Sequence, residues 1–448
     1  MMTTLKDKSF YKSIFTLAIP VIIQNIIMVS INNVDSLMIG QLGEKAIAGV
    51  GIANQIYFLF SFFLYGITGG SSVFMAQFFG KKDYEGLNKS LNLCLIINAF
   101  IGTIFSIIAI FLPSAIISLY TTDKEVISIG AKYLRIVGFS YIFTAFSFGF
   151  AASLRSIQNT IFPSTISTIA MLINIVLNYL LIYGNFNFPK LGVEGAAIGT
   201  VIARIFEFSS LMIITKKDKL LIFKNMFKFD LQFIPKFAKI TIPGMLTSAV
   251  WSFGMIAYNI IYSRLGTEWF AAINVANTIE GLAFTVFGGM CTAAVIMIGN
   301  KIGANEKETA YSYSKVFLLF NFILALLAGS LLIIGGSQIL GFYKVNDSTI
   351  SYAKYLLLIY GCMLWIKVLN MTFFMGILQA GGDTRYKFML ASIAMWAFGV
   401  PLMALAAFIL KLPYQLVILF ILFEEVIKLF GVFHRFFSKR WLKDLTIS

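Results

Sequence analysis

The sequence predicts an all-α integral membrane protein. The expected layout is twelve transmembrane helices in two six-helix lobes, related by a pseudo-two-fold axis along the membrane normal. Three observations predict it. Hydrophobic residues make up 59% of the 448 positions and charged residues 12%, more apolar side chain than a soluble chain can hide from water. Twelve apolar runs follow one another, each near or above the ~20 residues that cross a hydrocarbon layer. Residues 19–80 also repeat at 242–303 without a gap, with 11 identities in 62 positions. An internal repeat in so apolar a chain points to two like halves.

The elements follow in order. The N-terminal stretch MMTTLKDKSFYKS is polar and basic. The apolar run after it, roughly 14–39, is too long for a signal-peptide core and ends without a clear cleavage site, so it reads as the first membrane helix. Runs at 47–78, 89–112, 131–152, 161–183 and 193–215 complete a first lobe over 1–215. Residues 216–236 are a basic connector. Its Lys and Phe residues suit a segment lying on the membrane face, and a plain charged linker is the alternative. Runs at 237–262, 271–299, 311–336, 352–378, 388–410 and 414–437 form a second lobe over 237–448. Pro20 and Pro243 hold matching places in the first helix of each lobe and can kink or start it.

Charge sets the expected orientation. With the N-terminus inside, the inside segments carry 23 of the 35 basic residues, a positive-inside bias that puts both termini in the cytoplasm. The net charge of +15 is therefore mainly a topology signal and does not call for nucleic acid. Cys94, Cys291 and Cys362 match no metal spacing and read as small buried thiols. His434, the single histidine, has no ligand set near it. No nucleophile–base constellation suggests an enzyme, and no cofactor is expected.

Polar groups inside apolar runs are costly, so they face a cavity or each other. The first helix carries Gln24, Asn25, Asn32, Asn33, Asp35 and Ser36. Asn25, Asn32 and Asp35 fall near one face. Asp35, about 20 residues into its run, has Tyr258 as its counterpart in the repeat. A carboxylate there either takes up a proton readily or holds a cation among oxygen ligands, and both would couple an ion gradient to transport. A packing carboxylate satisfied by hydrogen bonds is the plainer alternative. Asn174 and Asn178 lie four apart on the fifth helix and share a face. Their amides either join Asp35, with a sodium ion as one candidate occupant, or bind helix to helix. Arg204 and Glu207 form an i,i+3 pair that more readily stabilises a helix end than binds substrate. Glu280 is a candidate second ion or cation site. Lys367 needs a partner, for which Glu280, Glu424 and Glu425 compete, while Glu424 and Glu425 also reach Lys428 locally. Asn54, Tyr57, Tyr258 and Tyr262, with Gln24, Asn32, Glu280 and Lys367, are the candidate cavity residues.

VDSLMIGQLG at 34–43, SRLG at 263–266, the pair LRSIQNT at 154–160 and LQAGGDT at 378–384, and YGNFNFPKLGVEGAAIGT at 183–200 stand in an order and spacing that are specific together. Over essentially the whole chain they resemble the multidrug and toxic compound extrusion (MATE) family, with a lean toward its DinF-like branch. The resemblance implies that Asp35 is the proton- or sodium-responsive carboxylate and that Asn174 belongs to its network. Asn178 stands where some members carry aspartate. Arg155 and Asp383 match the paired intracellular motif, but Gln379 and Asn159 replace their counterparts. The acids that some members carry on the seventh and tenth helices have no match. The expectation is a monomeric, ion-coupled antiporter of the bacterial cytoplasmic membrane that exports amphipathic or cationic organic compounds. A flippase for lipid-linked saccharides is the competing class, disfavoured because deep basic residues are few.

Overall fold

The computed structural model describes residues 7–221, 230–341 and 346–446, apart from the side chains at 32, 33 and 337. The Asn32 side chain and residues 222–229 of the expected connector thus lie outside the described residues. The described chain is helical, with no strand. In order the helices are α1 (Lys8–Gly40), α2 (Glu44–Lys81), α3 (Tyr84–Phe111), α4 (Lys124–Gly138, bent into Ser140–Ser156), α5 (Ile161–Tyr183) and α6 (Val193–Lys217). Then come α7 (Phe233–Leu265), α8 (Thr267–Gly303), α9 (Lys307–Leu340), α10 (Asp347–Ala380), α11 (Thr384–Ile409) and α12 (Ile421–Phe437).

Ten of these are long and apolar enough to cross a membrane, and α4 makes eleven if its two arms, bent by 48°, count as one span. The last expected span, 414–437, differs. It is helical throughout, with α turns at Tyr414–Val417 and Ile421–Phe437 joined by a 3-10 turn at Ile418–Phe420, and it carries the three charges Glu424, Glu425 and Lys428. Within α10 and α11 the backbone widens into π turns at Thr372–Ile377, Ile393–Gly399 and Leu405–Ile409. Pro401 in α11 has no N–H to donate, which fits a widened helix around it. Pro20 and Pro243 both lie inside their helices.

The chain divides into two compact units. One is Ile23–Ala238; the other is Lys239–Ser448 together with Met1–Ile22. The first unit packs around Phe60, Leu64, Leu134 and Tyr141, all fully buried. In the second, Phe10, Ile14, Leu17 and Ala18 from the start of α1 join a core with Met290, Phe317, Phe373 and Trp441. A second core of that unit holds Tyr258, Trp269, Leu356 and Leu364. Of the cysteines, Cys94 and Cys291 are buried but Cys362 is exposed. Position 362 falls on an outward face of α10, so the expected burial does not hold there.

Small residues set how closely helices approach, since lipid supplies no hydrophobic drive between them. Gly49 of α2 meets Gly130 of α4: a methyl on Gly49 would lie 2.9 Å from the Gly130 nitrogen. Gly329 of α9 meets Gly361 of α10 more tightly still, with a methyl at 329 falling 2.3 Å from the Gly361 carbonyl oxygen. At the α4 start, Asp123 accepts hydrogen bonds from the Glu125 and Val126 amides at 2.8 and 3.3 Å. Those amides hold its carboxyl below the usual range.

Gly329→Ala is expected to destabilise the protein by roughly 1–3 kcal/mol through overpacking. Gly335→Ala on the same helix meets nothing within 4 Å and should be neutral or stabilising. Thermal unfolding of the two variants in one detergent checks the contrast; equal Tm values would remove the role given to the α9–α10 approach.

Candidate functional site

The polar set lies within the first unit, on α1, α5 and α6. The fifth helix must come close to the sixth before short side chains can span the gap. Gly195 and Gly199 allow this: a methyl on Gly195 would sit 2.5 Å from the Leu181 carbonyl oxygen, and one on Gly199 would sit 2.5 Å from Asn178 Oδ1. At the α1 exit, Tyr183 donates from its hydroxyl to the Met38 carbonyl at 3.0 Å and ties α1 to α5.

A chain of hydrogen bonds then crosses three helices. Asn178 Nδ2 donates to Asp35 Oδ1 at 3.1 Å and to Asn174 Oδ1 at 3.4 Å. Asn174 Nδ2 donates to Thr200 Oγ1 at 3.3 Å, and that hydroxyl donates to the Ala196 carbonyl at 3.0 Å. Asp35 is half-buried and Asn178 is only 2% exposed. Asn178 Oδ1 is buried and accepts no hydrogen bond. A carboxylate oxygen of Asp35 and an amide oxygen of Asn174 thus face one shared donor, the Asn178 amide nitrogen, and oxygens of these types suit a hard cation or a proton.

One turn along α6, Arg204 Nη1 pairs with Glu207 Oε2 at 2.7 Å, and Nη2 reaches the Tyr57 hydroxyl at 3.4 Å. Glu207 Oε1 accepts from Ser167 Oγ at 2.6 Å. Arg204 also lies within electrostatic range of Asp35. Arg155 Nη2 donates to Gln24 Oε1 at 3.4 Å, while its buried Nε has no partner. Asn54 is exposed.

The other candidates fall in the second unit. Lys367 takes Glu280 as its partner at 2.7 Å, and its ammonium lies 4.2 Å from the centre of the Tyr360 ring. Tyr360 in turn donates to Asn277 Oδ1 at 3.1 Å. Tyr258 and Tyr262 are packed in a hydrophobic core, 1% and 3% exposed, and the Tyr258 hydroxyl contacts Glu424. Asp383, 1% exposed, accepts from Arg435 Nε at 2.6 Å and also pairs with Lys443. It clamps the chain beyond α12, where Trp441 is fully buried.

Several participants escape a reading of the sequence. Thr200 is an ordinary helix threonine until Asn174 reaches it. Ser167 carries no signal for Glu207. The Asp383 clamp joins residues 52 and 60 positions apart. The matched position of Tyr258 and Asp35 was the one available hint that α7 holds something at that level.

Removing Arg204 leaves Glu207 buried without its cation. Arg204→Met is expected to cost about 3–5 kcal/mol, and adding Glu207→Leu should recover most of it. A double-mutant cycle of unfolding in detergent measures the coupling; additive effects would mean the pair contributes nothing to the fold.

Comparison with known proteins bears on this arrangement. Residues 20–180 and 243–405 each match the family model described as MatE. The chain is 27% identical over 412 residues to the probable multidrug resistance protein YoeA of Bacillus subtilis, covering 90% of this chain and 88% of that one. It is 22% identical to the probable multidrug resistance protein NorM of Thermotoga maritima, over 98% of this chain and 94% of that one. Its fold is similar to that of the Vibrio cholerae MATE transporter VcmN in the bent form, with a TM-score of 0.86 and 19% identity across 98% of each chain. A MATE crystal structure in complex with MaL6 gives a TM-score of 0.84 at 19% identity, over 96% of this chain and 95% of that one. The repeated match, the twelve-helix order and this breadth of likeness have one reading: the chain is a multi-pass membrane protein that belongs to the MATE family.

Proposed function

We propose that this protein is an ion-coupled antiporter that exports amphipathic or cationic organic compounds by alternating access. The observation that carries the reading is the hydrogen-bonded chain Asp35–Asn178–Asn174–Thr200 inside apolar helices, with a buried amide oxygen left over at Asn178. A carboxylate there changes its surroundings when it gains a positive charge. Charged, it draws on Asn178 and on the field of Arg204. Neutralised by a proton or a sodium ion, it releases them.

In the outward state the ion binds at Asp35 and the drug leaves. In the inward state the ion departs and drug enters from the cytoplasm or the inner leaflet. Asn174, Asn178 and Thr200 position the carboxylate and supply oxygens to a cation. Arg204, Glu207 and Tyr57 hold the neighbouring turn of α6. Multidrug resistance is the role carried in the names of relatives such as YoeA, which supports drug-like substrates. The protein works as a monomer in the bacterial cytoplasmic membrane with both termini inside, and needs no cofactor beyond the coupling ion.

Purified protein in vesicles, loaded with a fluorescent cation under separately imposed proton and sodium gradients, tests the reading. Efflux should follow one or both gradients, and Asp35→Asn should reduce it to the level of protein-free vesicles while leaving the protein folded. Full gradient-driven efflux in that variant would sink the role of Asp35.

A further inference from the structure

The second unit holds a charge cluster of its own, built from different residues. In the first unit Glu207 pairs with Arg204, and Asp35 and Arg155 lie within electrostatic range of that pair. In the second, Tyr258 takes the position of Asp35, and its hydroxyl contacts Glu424 of α12. Glu424 and Glu425 both pair with one ammonium, Lys428, the second at 3.3 Å. Glu424 and Lys428 are buried, at 1% and 9% exposure. Among the described residues Lys367 is already paired with Glu280, so Lys428 is the only cation in contact with the two glutamates. The cluster therefore carries one negative charge too many for an apolar setting.

A second observation says what would neutralise it. Asn370 of α10 donates from Nδ2 to Glu425 Oε2 at 2.7 Å and to the Glu425 carbonyl at 2.8 Å. Two acceptors on one side fix which way the amide points. Its Oδ1 is buried and has no donor, in a residue 5% exposed. A carboxylate has no hydrogen to offer that oxygen; a carboxylic acid has one. A metal ion suits the place less, because Lys428 already stands between the two carboxylates. Glu425 keeps 15% of its side chain exposed.

We propose that the second unit holds its own exchangeable proton, shared by the Glu424–Glu425 pair and received by the Asn370 amide. The groups facing the pair are Tyr258 and Tyr262 of α7, Lys367 and Asn370 of α10, Lys428 of α12 and, beyond Tyr262, Glu280 of α8. The proton comes from water and returns to it. This site lies outside the coupling role given to Asp35, and a cycle that used both would carry one positive charge in each unit.

Infrared difference spectra of the full-length purified protein, stepped in pH across the neutral range, follow carboxyl protonation through the C=O stretch. A titrating band is expected to persist in Asp35→Asn and to vanish in both Glu424→Gln and Glu425→Gln. Lys428→Met removes the ammonium that favours the charged form, and should raise the midpoint by about one to three pH units. Tyr258→Phe deletes a single hydroxyl and should shift the midpoint without loss of the band, which keeps a mild variant in hand if a charge deletion does not fold. Loss of every titrating band in Asp35→Asn alone would overturn the proposal, as would a band indifferent to Glu424, Glu425 and Tyr258. The measurement involves no transport, so its failure leaves the role of Asp35 standing, and a failed efflux test leaves this site standing.

Discussion

A charge inside an apolar helix has to be met by a polar partner, and the hydrogen bond from Asn178 to Asp35 is where the first unit meets that demand across helices. Much of the first unit follows from it. Asn and Thr are short, so α5 and α6 must pack closely for Asn174 to reach Thr200. Glycines at 195 and 199 permit the approach. Arg204 and Glu207 pair along α6 itself, and their longer side chains also reach Tyr57 of α2 and Ser167 of α5. Polar satisfaction and close packing are thus one constraint seen twice.

The second unit shows how far a duplicated scaffold can drift while obeying the same constraint. The helices need no side chain to satisfy their backbones, because each amide bonds within its own segment. Side chains at matched positions are then free to change chemistry. Asp35 gives way to Tyr258, and Tyr57 to Glu280. The acids reappear on α8 and α12, each beside a lysine. The change is not neutral for the helix that bears it. Two glutamates and a lysine put three charges on α12, and all three turn inward from solvent.

Local order left a clear mark on the sequence. Apolar runs marked the spans to within a few residues, because burial in lipid acts on every residue of a run at once. Spacing of three or four placed Asn174 beside Asn178, Arg204 beside Glu207, and Lys428 beside Glu424 and Glu425, since those pairs depend only on the helical repeat. The matched halves were visible because the repeat runs without a gap. Asp35, Asn174 and Asn178 stood out as polar residues inside apolar runs, and the resemblance to a family gave them a shared role.

What the amino-acid sequence determined alone, then, was the class of fold, the order of spans, and which side chains share a helix face. Tertiary structure decided which faces meet. Lys367 had three acids to choose from and pairs with Glu280, and Tyr258 reaches a glutamate 166 positions away. Asp383 is held by Arg435 and Lys443 from beyond the last helix. The physical reason is one of range. A helical repeat fixes neighbours within about one turn, whereas a contact across helices depends on rotation, tilt and the small residues that set the distance, none of which any single segment encodes.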